Sequence, residues 1–168
     1  IEKAKLQADV YMTGSDQVWN STHNQGIDRI FFLDFLPNAA KRVSYAASFG
    51  KIELEEWEKD ITKKLLSRYS AISVRESSAL QLLESINIHN AVNVLDPTLL
   101  LSMSEWESLC PQLKLKEKYL LIYSVEPEKE QIISIAREIA DRLGLMVYMV
   151  EWGIKPYLGV DKMICNID

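Results

Sequence analysis

Residues 71–98 read AISVRESSALQLLESINIHNAVNVLDPT, and this stretch carries the strongest signal for the fold. The apolar run AISV predicts a strand, the next segment has apolar residues at helical spacing, and AVNVL at 91–95 predicts a second strand. Pro97 cannot donate a hydrogen bond to a sheet ladder, so the second strand should end before it. This alternation favours an α/β fold built on an open parallel sheet with helices on both faces.

The same alternation extends towards the beginning of the chain. DVYMT at 9–13 and RVSYAAS at 42–48 predict strands, and IFFLDF at 30–35 is a short apolar segment between them. Residues 53–69 predict a helix with a solvated acidic start. The buried face of this helix should carry Leu54, Trp57, Ile61, Leu65 and Leu66.

After residue 101 the pattern starts afresh. SMSEWESLC predicts a short helix with Ser102 or Ser104 as its cap and Trp106 as a core anchor, and a polar linker follows. Strands are predicted at 119–125 and 145–150. The helix between them, 127–143, ends at Gly144. Its apolar face should carry Ile132, Ile135, Ile139 and Leu143.

These patterns predict two domains. Residues 1–101 should form most of an N-terminal Rossmann-like domain, and 102–117 a helix with an interdomain linker. Residues 118–168 should begin a second Rossmann-like domain, whose remainder is missing because one βαβ unit cannot cover both faces of its own sheet. The chain starts at IEKAKLQ and stops at CNID. We therefore expect a central piece of a longer protein, inactive alone.

Composition excludes several classes of protein. The 168 residues are 48% hydrophobic and 26% charged, which is typical of a globular domain. A net charge of -5 excludes a broadly basic nucleic-acid surface. No apolar run approaches the roughly 20 residues that a membrane span needs. Cys110 and Cys165 have no zinc-type spacing, so two buried free thiols and a reducing cytoplasm are expected. No Walker loop, GxGxxG, HExxH or nucleophile elbow occurs.

Polar residues that could bind a ligand follow four of the predicted strands. In open α/β sheets ligands bind outside the carboxyl ends of the strands. The first strand runs into GSDQVW, where Ser15, Asp16 and Gln17 offer hydrogen-bonding groups and Trp19 offers a ring for stacking on a sugar. The other three strands are followed by Ser48, Arg75 and Asp96. An Arg at the start of a helix suits phosphate or carboxylate.

Each of these segments also has a purely structural interpretation. GSDQVW can be a capped turn with Trp19 in the core, and Arg75 can pair with Glu76 or an Asp. Asp96 can start an Asp-Pro turn, and the small residues around Ser48 can serve close backbone packing. The lone histidines His23 and His89 should be surface residues.

The ordered set GSDQVW, FFLDF, KRVSYAASFG, ISVRE and VLDPTLLL resembles the polysaccharide pyruvyl transferase family. The resemblance is strong over 9–101 and loose over 102–168. It implies a fold similar to two-domain GT-B-type glycosyltransferases, with two Rossmann-like halves facing a cleft. A C-terminal donor-binding motif with a His, and an N-terminal strand–loop containing Gly and Asn, have no counterpart in this sequence.

The resemblance also implies an activity. Family members transfer the enolpyruvyl carbons of phosphoenolpyruvate to sugar hydroxyls, forming a pyruvate ketal in bacterial exopolysaccharides or cell-envelope polymers. Phosphoenolpyruvate is then the donor substrate and no cofactor is expected. No metal-binding residue is assigned, and the need for a metal stays open. Arg75 would bind the donor, and Asp16 and Asp96 would serve as acid and base. Ser15, Gln17, Trp19 and Ser48 would contact the acceptor.

The partners implied are phosphoenolpyruvate and a saccharide acceptor, which a lipid carrier can hold at the inner face of the membrane. A cytoplasmic enzyme without a transmembrane segment is expected. Two alternatives stay open. One is a nucleotide-sugar glycosyltransferase of the same architecture, and the other is a glycan-binding module without catalysis.

Overall fold

The computed structural model describes residues 7–110, 117–125, 128–151 and 156–165. These residues form seven strands, four α-helices and one short 3-10 turn. The chain divides into two compact units, Ile1–Cys110 and Pro111–Asp168. The α/β class and the parallel pairing are confirmed, although the described sheets are small. A complete Rossmann-like sheet with helices on both faces, and the GT-B-type arrangement, stay predictions.

Four short strands organise the first unit. They are β1 (Tyr11–Thr13), β2 (Arg42–Ser44), β3 (Ile72–Val74) and β4 (Ala91–Asn93). β1 pairs with β2 and β3 pairs with β4, both in parallel. Single parallel bridges, Val43 to Ala71 and Ala47 to Val74, join the two pairs. All four strands therefore point the same way, and their carboxyl ends lie along one edge.

The boundary between β2 and β3, here called the β2–β3 seam, contains a bulge. Between the two bridges, the chain that continues from β2 has one residue more than the chain along β3. Ala46, within this bulge, has a left-handed φ of 52°. Two buried serines close the gap. The Ser44 hydroxyl accepts from the Ser73 amide (2.9 Å) and donates to its carbonyl (3.0 Å). The Ser73 hydroxyl donates to the Ser44 carbonyl (2.8 Å) and accepts from the Ala46 amide (3.1 Å). The strand predicted over 42–48 is therefore interrupted.

Helices α1 (Glu56–Leu66) and α2 (Ser78–Ser85) contribute to the core of the first unit. At the centre of this core the ring of Trp19 stacks on Phe32 at 5.6 Å and also contacts Phe49 and Tyr69. The prediction for α1 holds for Leu54, Leu65 and Leu66, which are buried. It is wrong for Trp57, which is 61% exposed, while Glu58 next to it is buried.

Arg42 is fully buried and binds backbone carbonyls. Its Nε donates to Leu33 (3.1 Å), its Nη1 to Ala40 (2.9 Å), and its Nη2 to Leu36 (2.7 Å) and Pro37 (3.1 Å). Burial lowers the pKa of this guanidinium from its usual value. The side chain thus fixes the loop 33–40 against the first residue of β2.

Helix α3 (Met103–Leu109) begins after Ser102, one of the two predicted caps, and Ser102 forms a capping box with Glu105. None of its residues is buried. Trp106 is 39% exposed and donates its indole N–H to the Thr98 carbonyl (3.1 Å). The prediction of a core anchor was wrong for this residue. Most of the predicted linker, 111–116, lies outside the described residues.

The described part of the second unit is a three-stranded parallel sheet in the order β5–β6–β7 with one helix. Its elements are β5 (Tyr119–Tyr123), α4 (Glu130–Leu143), β6 (Met146–Val150) and β7 (Lys162–Ile164). Gly144 ends α4 with φ 64°, as predicted. The buried face of α4 is made by Ile133, Ala136 and Ala140. The prediction was wrong for the face made by Ile132, Ile135, Ile139 and Leu143, which is 41–65% exposed.

Cys110 is exposed, Cys165 is half-buried, and neither is in a disulfide. The prediction of thiols rather than a disulfide is confirmed, whereas the prediction of burial was wrong. Among the described residues, no helix is long and apolar enough to cross a membrane.

The β2–β3 seam can be tested by Ser73→Ala. The change removes two hydrogen bonds and leaves the Ser44 carbonyl and the Ala46 amide buried without their partner. We expect the free energy of unfolding to fall by about 1–3 kcal/mol, measured by urea denaturation. Ser67→Ala, at an exposed helix end, is the matched control. Equal stability of the two variants would contradict a structural role for the seam.

Candidate functional site

Three of the four strand ends meet in one hydrogen-bonded cluster. Ser15 follows β1, Arg75 follows β3 and Asp96 lies three residues after β4. The Ser15 hydroxyl donates to Asp96 Oδ2 (3.1 Å), and Arg75 Nη1 donates to the same oxygen (3.2 Å). The sheet accounts for this meeting, because parallel strands deliver their carboxyl ends to one edge. Sequence reasoning placed these three residues at strand ends, and the structure brings them together.

Asn93 fixes the spacing between Arg75 and Asp96. It is the last residue of β4 and is paired with Val74 in the register of the sheet. Its side-chain amide donates to the carbonyls of Val74 (3.0 Å) and Arg75 (2.9 Å). The backbone of Arg75 is thus held against β4 as it leaves the sheet.

Asp96 is the centre of the cluster, and both of its oxygens are occupied. Oδ1 accepts hydrogen bonds from the Thr98 amide (3.0 Å) and the Thr98 hydroxyl (2.7 Å). Oδ2 accepts from the Ser15 hydroxyl and from Arg75 Nη1. These hydrogen bonds, those from Thr98 first, lower the pKa of Asp96 to about 2. The carboxylate is ionised at neutral pH and is a weak base. It therefore has no proton to donate and fits an orienting role better than general acid catalysis.

Thr98 was not among the candidate site residues drawn from the sequence. Its signal was nevertheless present, because an Asp followed two residues later by a Thr after a proline is a common local capping turn. The side chain of Asp96 caps the 3-10 turn Pro97–Leu99. Asp96 therefore has the predicted Asp-Pro turn role and also a place in the cluster.

Arg75 is held between two carboxylates. Its Nε donates to Glu76 Oε1 (2.9 Å), its Nη1 donates to Asp96, and its side chain is 28% exposed. The hydrogen bond that Arg75 donates to Glu76, followed by the one that it donates to Asp96, raises the pKa of Arg75. A guanidinium has five N–H donors. The other N–H of Nη1 and both of Nη2 make no hydrogen bond within the described residues. Part of the Arg75 fork thus remains for an anion.

Asp16 and Gln17 are exposed on the loop that follows β1. One Asp16 oxygen accepts from the Gln17 amide (2.7 Å), and the Gln17 side chain accepts from Asn20 Nδ2 (2.7 Å). The backbone of this loop is fixed by the Ser48 amide, which donates to the Asp16 carbonyl (2.9 Å). No hydrogen bond or ion pair in the described part of the chain links the side chains of Asp16 or Gln17 to Arg75 or Asp96.

Trp19 and Ser48 require a correction. Trp19 is 3% exposed in the aromatic core, with its indole N–H on the Phe31 carbonyl (3.2 Å). Ser48 is fully buried, and its hydroxyl accepts from the Gly50 amide (3.0 Å). Neither side chain presents a surface to a sugar, so acceptor contact is not supported for them. The structural interpretations of both residues fit instead.

The remaining polar candidates lie apart from the cluster. His23 and His89 are exposed, as predicted. Within the described ranges, no three His, Cys, Asp or Glu side chains come together to hold a metal ion.

A comparison with protein-family models gives a match to the polysaccharide pyruvyl transferase model over residues 1–151 of 168. The chain belongs to the polysaccharide pyruvyl transferase family. The resemblance carried by the ordered motifs is thereby confirmed. Searches of curated proteins and of solved structures each gave no match.

Membership gives the cluster a chemical context. The chain is a transferase of a family that attaches pyruvyl groups to polysaccharides. Within this pyruvyl transferase, Ser15, Arg75 and Asp96 are the candidate residues whose side chains are hydrogen-bonded to one another. They come from the motifs GSDQVW, ISVRE and VLDPT, which lie far apart in the sequence.

The titration of Asp96 tests the cluster. Because its pKa is lowered, the carboxylate should stabilise the fold above its ordinary pKa of 3.8, and this contribution should be lost as the pH falls through about 2. Carbon-13 NMR of the Asp96 carboxyl should give a midpoint near 2. Thr98→Val should raise that midpoint because it removes the Thr98 hydroxyl, and Thr22→Val should leave it unchanged. A wild-type midpoint close to 3.8 would show that the cluster does not form.

Proposed function

We propose that this pyruvyl transferase uses phosphoenolpyruvate as its donor and forms a pyruvate ketal on a sugar, with Arg75 as a donor ligand. The observation that carries the proposal is the position of Arg75. It stands at the carboxyl edge of the sheet, fixed on one side by Glu76 and Asp96 and open on the other. A planar fork fixed in this way fits the paired oxygens of a phosphate or carboxylate.

In this proposal the two carboxylates around Arg75 fix the orientation of its side chain. Glu76 and Asp96 together carry more negative charge than Arg75 carries positive charge, so they do not attract an anion. They remove the rotational freedom of the guanidinium before the donor arrives. Such preorganisation lowers the entropy cost of forming further hydrogen bonds. Ser15 and Thr98 hold Asp96 in place.

The proposed reaction sets the proton requirements of the site. Two sugar hydroxyls each form a C–O bond to C2 of the enolpyruvyl group, and the bond from C2 to the phosphate oxygen breaks. One hydroxyl proton is balanced by the proton gained at the methylene carbon, and the other leaves with phosphate. A base near the acceptor and an acid near the methylene carbon are therefore needed.

Asp16 is our candidate for the base. Its carboxylate is exposed, one of its oxygens is engaged only with the next amide, and it lies one residue from Ser15. Gln17 is exposed beside it and supplies both a donor and an acceptor for sugar hydroxyls. Ser15 donates to Asp96, which leaves its oxygen as an acceptor for one substrate hydroxyl.

The acceptor class follows from the family, and its finer identity is part of the proposal. We propose a saccharide unit of an exopolysaccharide or cell-envelope polymer, carried on a lipid at the inner face of a bacterial membrane. The proposed reaction has no redox step, so no redox cofactor enters it.

Arg75→Lys and Arg75→Ala test the donor site in the full-length protein. Release of phosphate from phosphoenolpyruvate is measured with and without cell-surface oligosaccharides. A lysine keeps the charge and loses the fork, so we expect kcat/KM for the donor to fall about 100-fold for either variant. Arg29→Lys, at an exposed ion pair, is the control.

The same assay separates the alternatives. Unchanged kcat/KM in both Arg75 variants would refute the donor role of Arg75. A wild-type protein that releases no phosphate, and is stabilised by a nucleoside diphosphate, would be a nucleotide-sugar glycosyltransferase. A protein that binds glycans without turnover would be a binding module.

Asp16→Asn tests the proposed base. We expect kcat to fall by about 10²–10⁴-fold with little change in KM for phosphoenolpyruvate, because the amide cannot accept the hydroxyl proton. Asp28→Asn is the matched control, since Asp28 also accepts a hydrogen bond from a loop amide. A kcat for Asp16→Asn equal to that of the control would remove Asp16 from the chemistry.

A further inference from the structure

Glu58 is a buried carboxylate to which the proposed reaction assigns no role. It lies in the first turn of α1 and is 1% exposed. Lys51 Nζ donates to both of its oxygens, at 2.9 Å and 2.8 Å, and the Glu55 amide donates to Oε2 at 2.7 Å. The Lys51 side chain is 17% exposed. An ion pair this far from water is weakly screened by salt and has a fixed geometry.

The pair joins three segments of the first unit. Lys51 Nζ also donates to the Ser21 hydroxyl (2.6 Å), which belongs to the loop after β1. Lys51 itself lies in the turn that follows Ser48, and Glu58 lies on α1. The ion pair therefore ties the loop after β1 and the turn at 48–51 to the start of a helix.

The turn at 48–51 lies directly against the residues proposed to meet the acceptor. The Ser48 amide donates to the Asp16 carbonyl (2.9 Å), and the Trp19 amide donates to the Ser48 carbonyl (3.1 Å). A Cβ on Gly50 would stand 2.4 Å from the Gln17 side-chain oxygen. A shift of this turn would therefore move the backbone of Asp16 and the side chain of Gln17.

We propose that Lys51 and Glu58 are positioning residues, which set the place of the Asp16–Gln17 loop for the acceptor sugar. Only the expected kinetic effect rests on the proposed function; the expected effect on the loop structure does not. Neither residue contacts the substrate in this proposal. They act through the Ser21 hydroxyl and through the hydrogen bonds between Ser48 and the loop. A displacement of about 1 Å at a reacting group is enough to cost 100-fold in rate.

The test uses the double variant Lys51→Met/Glu58→Met in the full-length protein. Removing one partner alone leaves a buried unpaired charge and can unfold the protein, whereas replacing both by apolar residues is often neutral for stability. We expect a thermal midpoint close to that of the wild type. The acceptor KM should rise about 10-fold, and the KM for phosphoenolpyruvate should stay within about twofold, because Arg75 is held by other contacts. Glu56→Gln, on the same helix turn but exposed, is the control.

A second measurement does not depend on turnover. Hydrogen exchange of the peptides that cover 16–21 and 46–50 should become about 10-fold faster in the double variant, while exchange in 91–98 stays unchanged. A folded double variant with wild-type exchange over 16–21 would overturn the inference. So would wild-type values of kcat and of both KM constants. A wild-type protein without phosphoenolpyruvate turnover would refute the proposed function, and the exchange result would still decide the role of the pair.

Discussion

The first unit depends on the exchange of hydrogen bonds between Ser44 and Ser73. β1 and β2 form one parallel pair and β3 and β4 form another, and the bulge after Ser44 would otherwise leave buried amides and carbonyls unpaired between them. The two serine hydroxyls donate two hydrogen bonds and accept two, and these pair the backbone groups at the bulge. The candidate site spans this boundary, with Ser15 on one side and Arg75 and Asp96 on the other. The geometry of the candidate site therefore depends on the hydrogen bonds of the β2–β3 seam.

Local signals in the sequence were sufficient for the kind and order of most elements. The end of β4 before Pro97, a serine cap at the start of α3 and the end of α4 at Gly144 were predictable because each depends on neighbours within a few residues. The same holds for the site. Ser15, Arg75 and Asp96 could be named from the sequence because parallel strands end at one edge. That hydrogen bonds join the side chains of these three, and not those of the other strand-end residues, was visible only in the three-dimensional structure.

Burial was where sequence reasoning failed, for reasons that lie outside each helix. Trp57 is exposed, whereas Glu58 beside it can be buried because Lys51, which precedes the helix, supplies its charge partner. On α4 the large isoleucines suggested the wrong face, since the residues buried against the sheet are Ile133, Ala136 and Ala140. Trp19 in an exposed-looking loop motif is a core residue because Phe32, Phe49 and Tyr69, from distant parts of the chain, surround it.

Charge in the first unit is used mainly to hold geometry. Both carboxylate oxygens of Asp96 accept hydrogen bonds from neighbouring groups, and so do those of Glu58. The Arg42 guanidinium donates to backbone carbonyls. Groups engaged in this way are poor acids and bases, because the hydrogen bonds that order them also stabilise one protonation state. The reactive groups should then be those left at the surface of this framework. In the proposed reaction these are the open edge of Arg75 and the exposed carboxylate of Asp16, and hydrogen bonds fix the backbone that carries each of them.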